Sequence, residues 1–376
     1  MNALVEDARN NTMKHDTYGI KVPGTFIGKI ADLRDSAGAD QTRILDPFIY
    51  YCIKRYENNP HVSDETVAGL ERVYYQTAIS NIKKLDSATK ILRIFYREGI
   101  FAIPLKGMAL IETVYRNPAI RPMADIDLMI RREDTHKVKH VLTNMGYPYI
   151  DDHRGSINFQ DNENEVFDLH AQFTKFDVLF CVDYEEIYSR LRKIEFNGQI
   201  QTEILCPEHQ LIHIALHLAP GLYTGLNVMN LVDMCCLISD QDGLFDWDYL
   251  VGFSIRSKMN PYIAGPIYLC SHLFNQEIPE SVLKILQACL SRRRRAYIQN
   301  NYFASILDEG SSGLKIFIER VKWAVEFSQK MKLVRMALFP DPQEMAQRYS
   351  IPEDSLRLYG FYIVRVVKLV KEMLAK

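Results

Sequence analysis

Apolar residues recur at helical spacing along most of the chain, but a shorter stretch in its first half follows a different pattern. The run from Asp64 to Gly99 predicts one long helix that ends at a glycine. From Pro207 onward the spacing is helical again, with breaks at Pro340 and Pro342. The hydrophobic pattern therefore predicts two helical regions that flank a segment of another kind.

The segment between the helical regions alternates short apolar strands with helices. Ile100 to Leu105 is a predicted strand, Lys106-Gly107 is a turn, and a helix begins at Met108. Further strands are predicted at 124–130, 147–150, 156–160 and 165–173, with a helix at 132–145. Strands and helices in this order fit a small sheet unit that ends near residue 205.

We predict an α+β fold in three parts, since 376 residues are long for a single hydrophobic core. Residues 1–98 form a helical N-terminal region, and residues 99–205 form a small mixed-sheet core. Residues 206–376 form a large helical C-terminal domain. Its helices are predicted at 207–218, 226–238, in a run to 289, at 314–338 and at 356–374.

Two acidic residues, Asp125 and Asp127, stand in a predicted strand whose other members are apolar. Alternate side chains of a strand share a face, so both carboxylates point one way while Ile126, Leu128 and Ile130 point toward a core. Carboxylates this close repel each other, and Mg²⁺, which prefers oxygen ligands, is a common compensation. Two solvated acids at a strand end are the alternative interpretation.

Two other segments carry matching chemistry. In Leu105-Lys106-Gly107 the glycine permits close backbone approach, the following helix start offers free N–H groups to a phosphate, and Lys106 adds positive charge. Arg121 precedes the aspartate pair, and its guanidinium suits bidentate phosphate contact. Alternation puts Asp168 and His170 on one face of a later strand. Three carboxylates, cations and a phosphate-binding turn are the parts of metal-assisted phosphoryl transfer.

These segments are similar to a known family. Leu105-Lys106-Gly107, Arg121 to Leu128, and Phe167 to His170 resemble the uncharacterised nucleotidyltransferase family of the DNA polymerase β-like nucleotidyltransferase superfamily. The resemblance covers roughly residues 70 to 376, and the three segments in this order are more specific than any one of them. It implies a nucleotidyltransferase core at 99–205.

The resemblance also implies roles for individual acids. Asp125 and Asp127 would bind the Mg²⁺ ions that hold a nucleoside triphosphate, and Asp168 would complete a second metal site and help to deprotonate an acceptor hydroxyl. Two ions are expected, and Mn²⁺ could replace Mg²⁺. His170 and His217 are candidate residues of the acceptor cleft, although packing against the Asp233 helix is the favoured interpretation of His217.

Four residues are expected to contact the nucleotide. Gly107 would open the turn around the phosphates with support from Lys106, and Arg121 would stabilise the leaving pyrophosphate. The broader superfamily usually has Gly-Ser or Gly-Gly at this turn, whereas Gly107 is followed here by Met108, which has no hydroxyl. The nucleotide-binding contribution of Met108 would therefore come from its backbone.

The expected activity is transfer of a nucleoside monophosphate, most simply AMP from ATP, to a hydroxyl of a small molecule, peptide or protein. An alternative is an RNA- or tRNA-directed transferase of toxin or defence type, which the run Arg292 to Arg295 and the +8 net charge of residues 281–376 would suit. A solvated helix surface explains the basic run better. The third alternative is a non-catalytic partner-binding protein, for which three acids on one face have no use.

The composition and the cysteine pattern limit the class of protein and its expected compartment. The apolar fraction of 47% and charged fraction of 24% are ordinary for a globular protein, and we expect a cytoplasmic protein without a membrane partner. Seven scattered cysteines without a Cys-x-x-Cys pair are expected to be reduced. His209, His213 and His217 share one predicted helix face, a spacing that could bind zinc, but packing is favoured because no cysteine or acid completes the set.

Overall fold

The structure is a computed structural model that describes residues 43–56, 63–153, 155–219, 228–241, 245–307, 313–352 and 354–374. Sequence predictions before residue 43 lie outside these ranges. The strands are β1 (Ala102–Pro104), β2 (Ile126–Ile130), β3 (Tyr149–His153), β4 (Ser156–Gln160), β5 (Val166–His170), β6 (Arg192–Phe196) and β7 (Ile200–Ile204).

Helices precede, interrupt and follow the strands. They are α1 (Asp46–Tyr56), α2 (Asp64–Arg97), α3 (Lys106–Leu110), α4 (Thr135–Asn144), α5 (Tyr184–Ser189), α6 (Pro207–His217), α7 (Val228–Asp240), α8 (Trp247–Arg256), α9 (Asn260–Phe274), α10 (Glu280–Ala288), α11 (Arg292–Leu307), α12 (Gly313–Trp323), α13 (Phe327–Leu338), α14 (Pro342–Tyr349) and α15 (Arg357–Leu374).

The long helix α2 begins and ends as its sequence predicts. The Ser63 side chain accepts a hydrogen bond from the Thr66 N–H, which caps the first turn. At the other end Gly99 has φ +62°, and the Ile100 N–H donates to the Phe95 carbonyl at 2.8 Å. The last three turns of α2 bury an apolar face against the sheet, formed by Leu85, Ala88, Ile91, Leu92 and Phe95.

The main sheet has five strands in the order β1-β2-β5-β4-β3. Strands β2 and β5 are parallel, whereas the other neighbouring pairs are antiparallel. This mixed sheet between helical regions confirms the predicted α+β fold. A second, two-stranded sheet of β6 and β7 was not predicted, because its strands carry mostly polar side chains and bury few apolar ones.

Strand β2 separates two hydrophobic clusters. Ile126, Leu128 and Ile130 belong to the cluster that also contains the α2 face, whereas Met129 belongs to a larger cluster built mainly from helices. Asp127 alternates with the first set and therefore lies on the Met129 face. The acidic face of the sheet is thus the face that the larger helical cluster covers.

The described residues of the segments predicted as helical after residue 206 are mainly helical, but the helices do not always have the predicted lengths. The predicted run 314–338 is two helices, α12 and α13, and Glu326 with Gln329 forms a capping box that starts the second.

In the described part of the chain, no helix has both the length and the apolar character needed to cross a bilayer. All seven cysteines are free, and five of them are buried. The domain boundaries at 98/99 and 205/206 stay a prediction.

Candidate active site

Asp127 and Asp168 lie side by side on the two parallel strands. They are register partners in the pairing of β2 with β5, and each is buried, with exposures of 5% and 6%. Strand alternation turns both side chains to the same face of the sheet. The sequence prediction that these acids come together on one face is what the pairing produces, and buried carboxylates of this kind need compensation.

His170 joins the two acids. Its Nε2 is 2.8 Å from Asp127 Oδ1 and 3.3 Å from Asp168 Oδ2. On the other side of the ring, Nδ1 is 3.2 Å from Ser156 Oγ on the neighbouring strand β4. The imidazole is therefore held at both nitrogens. Sequence analysis expected His170 in the acceptor cleft, and the structure places it against the acids themselves.

Two lysines complete the charge balance. Lys106 Nζ is 2.5 Å from Asp127 Oδ1, and Lys175 Nζ is 3.1 Å from Asp168 Oδ2. Burial raises the pKa of Asp127, but Lys106 and the His170 hydrogen bond outweigh it and hold the pKa well below its usual range. The pKa of Asp168 is also lowered, because His170 and Lys175 outweigh its burial. Both carboxylates are thus kept ionised.

The expected metal-binding role of Asp125 stays a prediction. This residue immediately precedes β2 and is only half buried. The nearby charge of Asp127, together with burial, raises the pKa of Asp125, while Lys106 partly opposes the increase. The charges of Asp127 and Lys106 act on Asp125, but Asp125 is not one of the three residues whose donor atoms lie within 4.8 Å of one another.

The arrangement fits a divalent cation. One donor atom each from Asp127, Asp168 and His170 lie within 4.8 Å of one another. The other oxygen of Asp168, Oδ1, is buried and has no hydrogen-bond partner among the described residues. The two carboxylates are oxygen ligands of the kind that Mg²⁺ and Mn²⁺ take, and a buried orphan oxygen is a donor that a bound ion would satisfy.

The Lys106-Gly107 turn is anchored to β2. The Leu105 N–H donates to the Asp127 carbonyl at 3.0 Å, which carries the turn to the acids. Met108 is 1% exposed in the core below the sheet, and its N–H donates to the Leu105 carbonyl at 3.1 Å. The Met108 backbone is therefore already engaged within the turn, which leaves its expected nucleotide contact a prediction.

Gly107 faces Arg121 rather than open space. A Cβ at position 107 would lie 2.2 Å from Arg121 Nη1 and 2.7 Å from Met123 Cγ. The close approach that requires glycine is thus made by protein side chains. The expected contact of Gly107 with phosphate stays a prediction.

Gly107→Ala is expected to destabilise the fold by about 1–3 kcal/mol, because the buried Arg121 cannot move aside freely. Urea unfolding monitored by circular dichroism measures the change. Gly69→Ala is the matched control: nothing lies within 4 Å of a Cβ there, on α2, so it should be stabilising by about 0.5–1 kcal/mol. A neutral Gly107→Ala would contradict the packing explanation.

Arg121 is bound to Asp233 of α7. Arg121 Nη2 lies 2.8 Å from Asp233 Oδ2, and Nε lies 3.0 Å from both carboxylate oxygens. The Tyr115 hydroxyl donates to Asp233 Oδ1 at 2.6 Å. Burial alone would lower the pKa of Arg121, but Asp233 outweighs it and raises the pKa. The expected pyrophosphate contact of Arg121 stays a prediction, and the structure gives the guanidinium a partner within the protein.

Sequence reasoning did not identify Asp233 as that partner. A usable signal was present, because Asp233 is the one charged residue in the apolar run from Leu231 to Ile238 of α7. Its carboxyl group is fully buried. A lone acid in a buried helix needs a cation, and Arg121 provides it.

The three histidines of α6 line up beside the acids. His213 lies 6.5 Å from His170 and 5.0 Å from His217, measured between ring centroids. His213 Nδ1 is 2.8 Å from the Phe173 carbonyl, and His209 Nε2 is 2.8 Å from the Tyr249 hydroxyl. Burial, with Lys106 adding to it, lowers the pKa of His217 well below its usual range. His217 is thus close enough to Lys106 for the lysine charge to act on it, and its expected place in the acceptor cleft stays a prediction.

The buried His209 should make the protein acid-sensitive. Burial lowers its pKa from 6.5 to about 3, so the unfolded chain binds the proton first as the pH falls. Stability therefore decreases as the pH falls from about 6.5 toward 3, by roughly 1 kcal/mol per pH unit. His209→Gln should reduce this slope in urea unfolding between pH 7 and 5, with exposed His136→Gln as the control. An unchanged slope in His209→Gln would contradict the assignment.

The chain matches the model of a family described as uncharacterised nucleotidyltransferase over residues 39–275. No curated protein matches it. A solved structure to which it is similar is an antigenic nucleotidyltransferase-like protein from Paracoccidioides brasiliensis, at 14% identity and a TM-score of 0.31, covering 54% of this chain and 97% of that one. The family match spans more than half of the chain, including the whole acidic site. The chain therefore belongs to the uncharacterised nucleotidyltransferase family and is a transferase.

Proposed function

We propose that the protein transfers a nucleoside monophosphate, most simply AMP from ATP, to a hydroxyl of a small molecule, peptide or protein and releases pyrophosphate. The observation that carries the proposal is the in-register pair Asp127 and Asp168. Both carboxylates are buried, and Asp168 Oδ1 has no hydrogen-bond partner in the described part of the chain. A protein without a ligand for this site has no reason to bury two acids together.

Magnesium is the cation that this chemistry favours. Asp127, Asp168 and His170 would hold one ion, and Asp125, immediately before β2, would supply a carboxylate for a second. Bound Mg²⁺ supplies charge neutralisation of the triphosphate and polarisation of its α-phosphate. Mn²⁺ would substitute.

The remaining chemistry falls to side chains of the site. The acceptor hydroxyl oxygen forms a bond to the α-phosphorus, and the bond from that phosphorus to the bridging oxygen breaks, so pyrophosphate leaves. The hydroxyl proton passes to the ionised Asp168 carboxylate and from there to bulk water. Lys106 and Lys175, whose ammonium groups contact Asp127 and Asp168, would supply the positive charge for the phosphate oxygens.

The test is transfer by the full chain from each of the four α-labelled NTPs, with Mg²⁺ and a panel of hydroxyl acceptors. We expect labelled product and pyrophosphate from ATP above the others, and loss of both on removal of the metal by EDTA. Absence of binding and transfer with every NTP and acceptor would reject the proposal and favour a non-catalytic partner-binding protein.

An RNA acceptor is the second candidate, because Arg292, Arg293 and Arg295 of α11 are exposed. Arg294 is not available in the same way, since its guanidinium donates to the Lys322 and Ala324 carbonyls. A tRNA arm in the same assay distinguishes the candidates. Retention that falls steeply with salt and is lost when the three exposed arginines are replaced by serine would favour RNA.

A further inference from the structure

Lys106 has a backbone conformation that its role as a phosphate contact does not require. Its φ is +44°, in the left-handed region that residues with a Cβ rarely adopt. A glycine would adopt it at lower cost, yet the chain has its glycine one residue later. Such strain persists where the surrounding structure fixes it, and it clusters at functional sites. The position of the Lys106 side chain therefore needs its own explanation.

The Lys106 ammonium lies where a cation bound to Asp127 would lie. Its Nζ is 2.5 Å from Asp127 Oδ1, the same oxygen that His170 Nε2 contacts at 2.8 Å. Only 17% of the lysine side chain is exposed, so the carboxylate and not water compensates most of its charge. Burial lowers the pKa of Lys106, but Asp127 and Asp125 outweigh the burial and raise it. The ammonium is a fixed counter-ion of these acids.

Asp168, the second acid, differs from Asp127 in the contacts of its two carboxylate oxygens. Lys175 Nζ contacts Oδ2 of Asp168 at 3.1 Å, and Oδ1 of Asp168 has no hydrogen-bond partner among the described residues. A divalent cation can therefore approach Asp168 directly. At Asp127 the same cation has to compete with the Lys106 ammonium for Oδ1.

We propose that Lys106 is an exchangeable counter-ion: its ammonium balances Asp127 in the metal-free protein and leaves Asp127 when a divalent cation binds. The proposal rests on the proposed function, because it takes Asp127 and Asp168 as the cation ligands. Two cations that compete for one carboxylate weaken each other's binding. Lys106 therefore keeps the affinity for metal alone low, and its displaced ammonium is free to meet the nucleotide phosphates.

The test is a Mn²⁺ titration of the full chain without nucleotide, followed by the electron paramagnetic resonance signal of free Mn²⁺. Lys106→Met keeps an unbranched side chain of nearly the same length and the same backbone requirement, and it removes the ammonium group with its charge and its N–H donors. We expect Lys106→Met to bind Mn²⁺ about tenfold more tightly than the natural chain. With Mn²⁺ saturating, the same variant should bind ATP more weakly.

Lys84→Met is the matched control. Lys84 is also a buried lysine in an ion pair, 2.7 Å from Glu165, but that pair lies outside the acidic site. It should lose stability without a change in Mn²⁺ affinity. Tighter Mn²⁺ binding by Lys84→Met would show that any lost positive charge has the same effect and would overturn the proposal.

Thermal unfolding gives a second readout. Without metal, Lys106→Met leaves Asp125, Asp127 and Asp168 with less compensation, so saturating Mn²⁺ should raise its melting temperature more than that of the natural chain. Should the methionine variant fail to fold, Lys106→Gly, which relieves the positive φ, replaces it in both measurements.

The outcomes separate the two proposals. Unchanged or weaker Mn²⁺ binding by the Lys106 variants overturns the counter-ion role, and metal-dependent transfer by the natural chain would then still support the proposed function. Failure of the natural chain and of every variant to bind Mn²⁺, both without and with ATP, overturns both.

Discussion

Replacing Asp127 by asparagine is expected to lower the rate of nucleotide transfer by about 10²–10³-fold, the cost of losing one group that acts on transition-state charge. The change removes a negative charge that three neighbours converge on. Lys106 and His170 contact the carboxylate directly, and Asp168 is its register partner. Asparagine keeps an oxygen acceptor of the same shape, so the loss reflects charge and not packing.

Initial rates of pyrophosphate release at saturating ATP and Mg²⁺ measure the effect. Asp168→Asn should lose activity to a similar extent, because its partner-free oxygen is the proposed second donor to the metal. The matched control is Asp240→Asn, which also removes an ion-paired aspartate, 2.9 Å from Arg116, but outside the site. It should retain activity within about twofold, since a half-exposed pair contributes little to stability. Asp127→Asn with normal turnover would refute the assigned site.

Replacing Asp233 by alanine is expected to destabilise the protein by about 3–5 kcal/mol, because it leaves the Arg121 guanidinium buried without a counter-ion. Asp233 is fully buried and accepts hydrogen bonds from Arg121 and Tyr115. This cost is a large fraction of the stability of a typical domain. Urea unfolding at constant pH measures it.

Two further variants separate charge from the hydrogen bond. Tyr115→Phe removes one donor to Asp233 and leaves the ion pair, so it should cost only about 0.5–1.5 kcal/mol. The double variant Arg121→Met with Asp233→Leu removes both charges together and should recover most of the loss. A double variant no more stable than Asp233→Ala would contradict the uncompensated-charge explanation.

The same double variant tests the expected role of Arg121 in catalysis. A stable but inactive double variant would support a contact between Arg121 and the leaving pyrophosphate. A stable and active one would assign Arg121 to the junction between the sheet and α7. The activity of the double variant therefore decides whether Arg121 contacts the leaving pyrophosphate or only stabilises the fold.

The acidic site was predictable because its rule is local. Strand alternation fixes which side chains share a face, so spacing alone paired Asp125 with Asp127 on one strand and Asp168 with His170 on another. That the two strands lie together was expected from the resemblance to the family. Neither the alternation nor the resemblance fixes the register between these two strands. It depends on parallel pairing of strands that are distant in sequence, and the structure supplies it.

Sequence reasoning did not foresee two kinds of contact. One kind joins segments that are distant in the chain, and the other joins strands whose side chains are mostly polar. Arg121 and Asp233 are 112 positions apart, and nothing in the pattern of either segment specifies the other. The hairpin of β6 and β7 was hidden because its side chains are mostly polar, so its hydrophobic alternation is weak. Lys106 was recognised by its charge, but its left-handed backbone has no signal in residue type, since glycine is the usual occupant.

The pairing of Arg121 with Asp233 also determines what could be recombined between homologous proteins. A chimera cut at residue 205, where the sheet unit ends, would separate the arginine from its own aspartate. It would inherit an unmatched buried charge unless the donor supplied an acid at the equivalent helix position. The smallest transplantable unit therefore extends past Asp233, well into the helices, and a junction after residue 275 would keep the pair and the whole family match together.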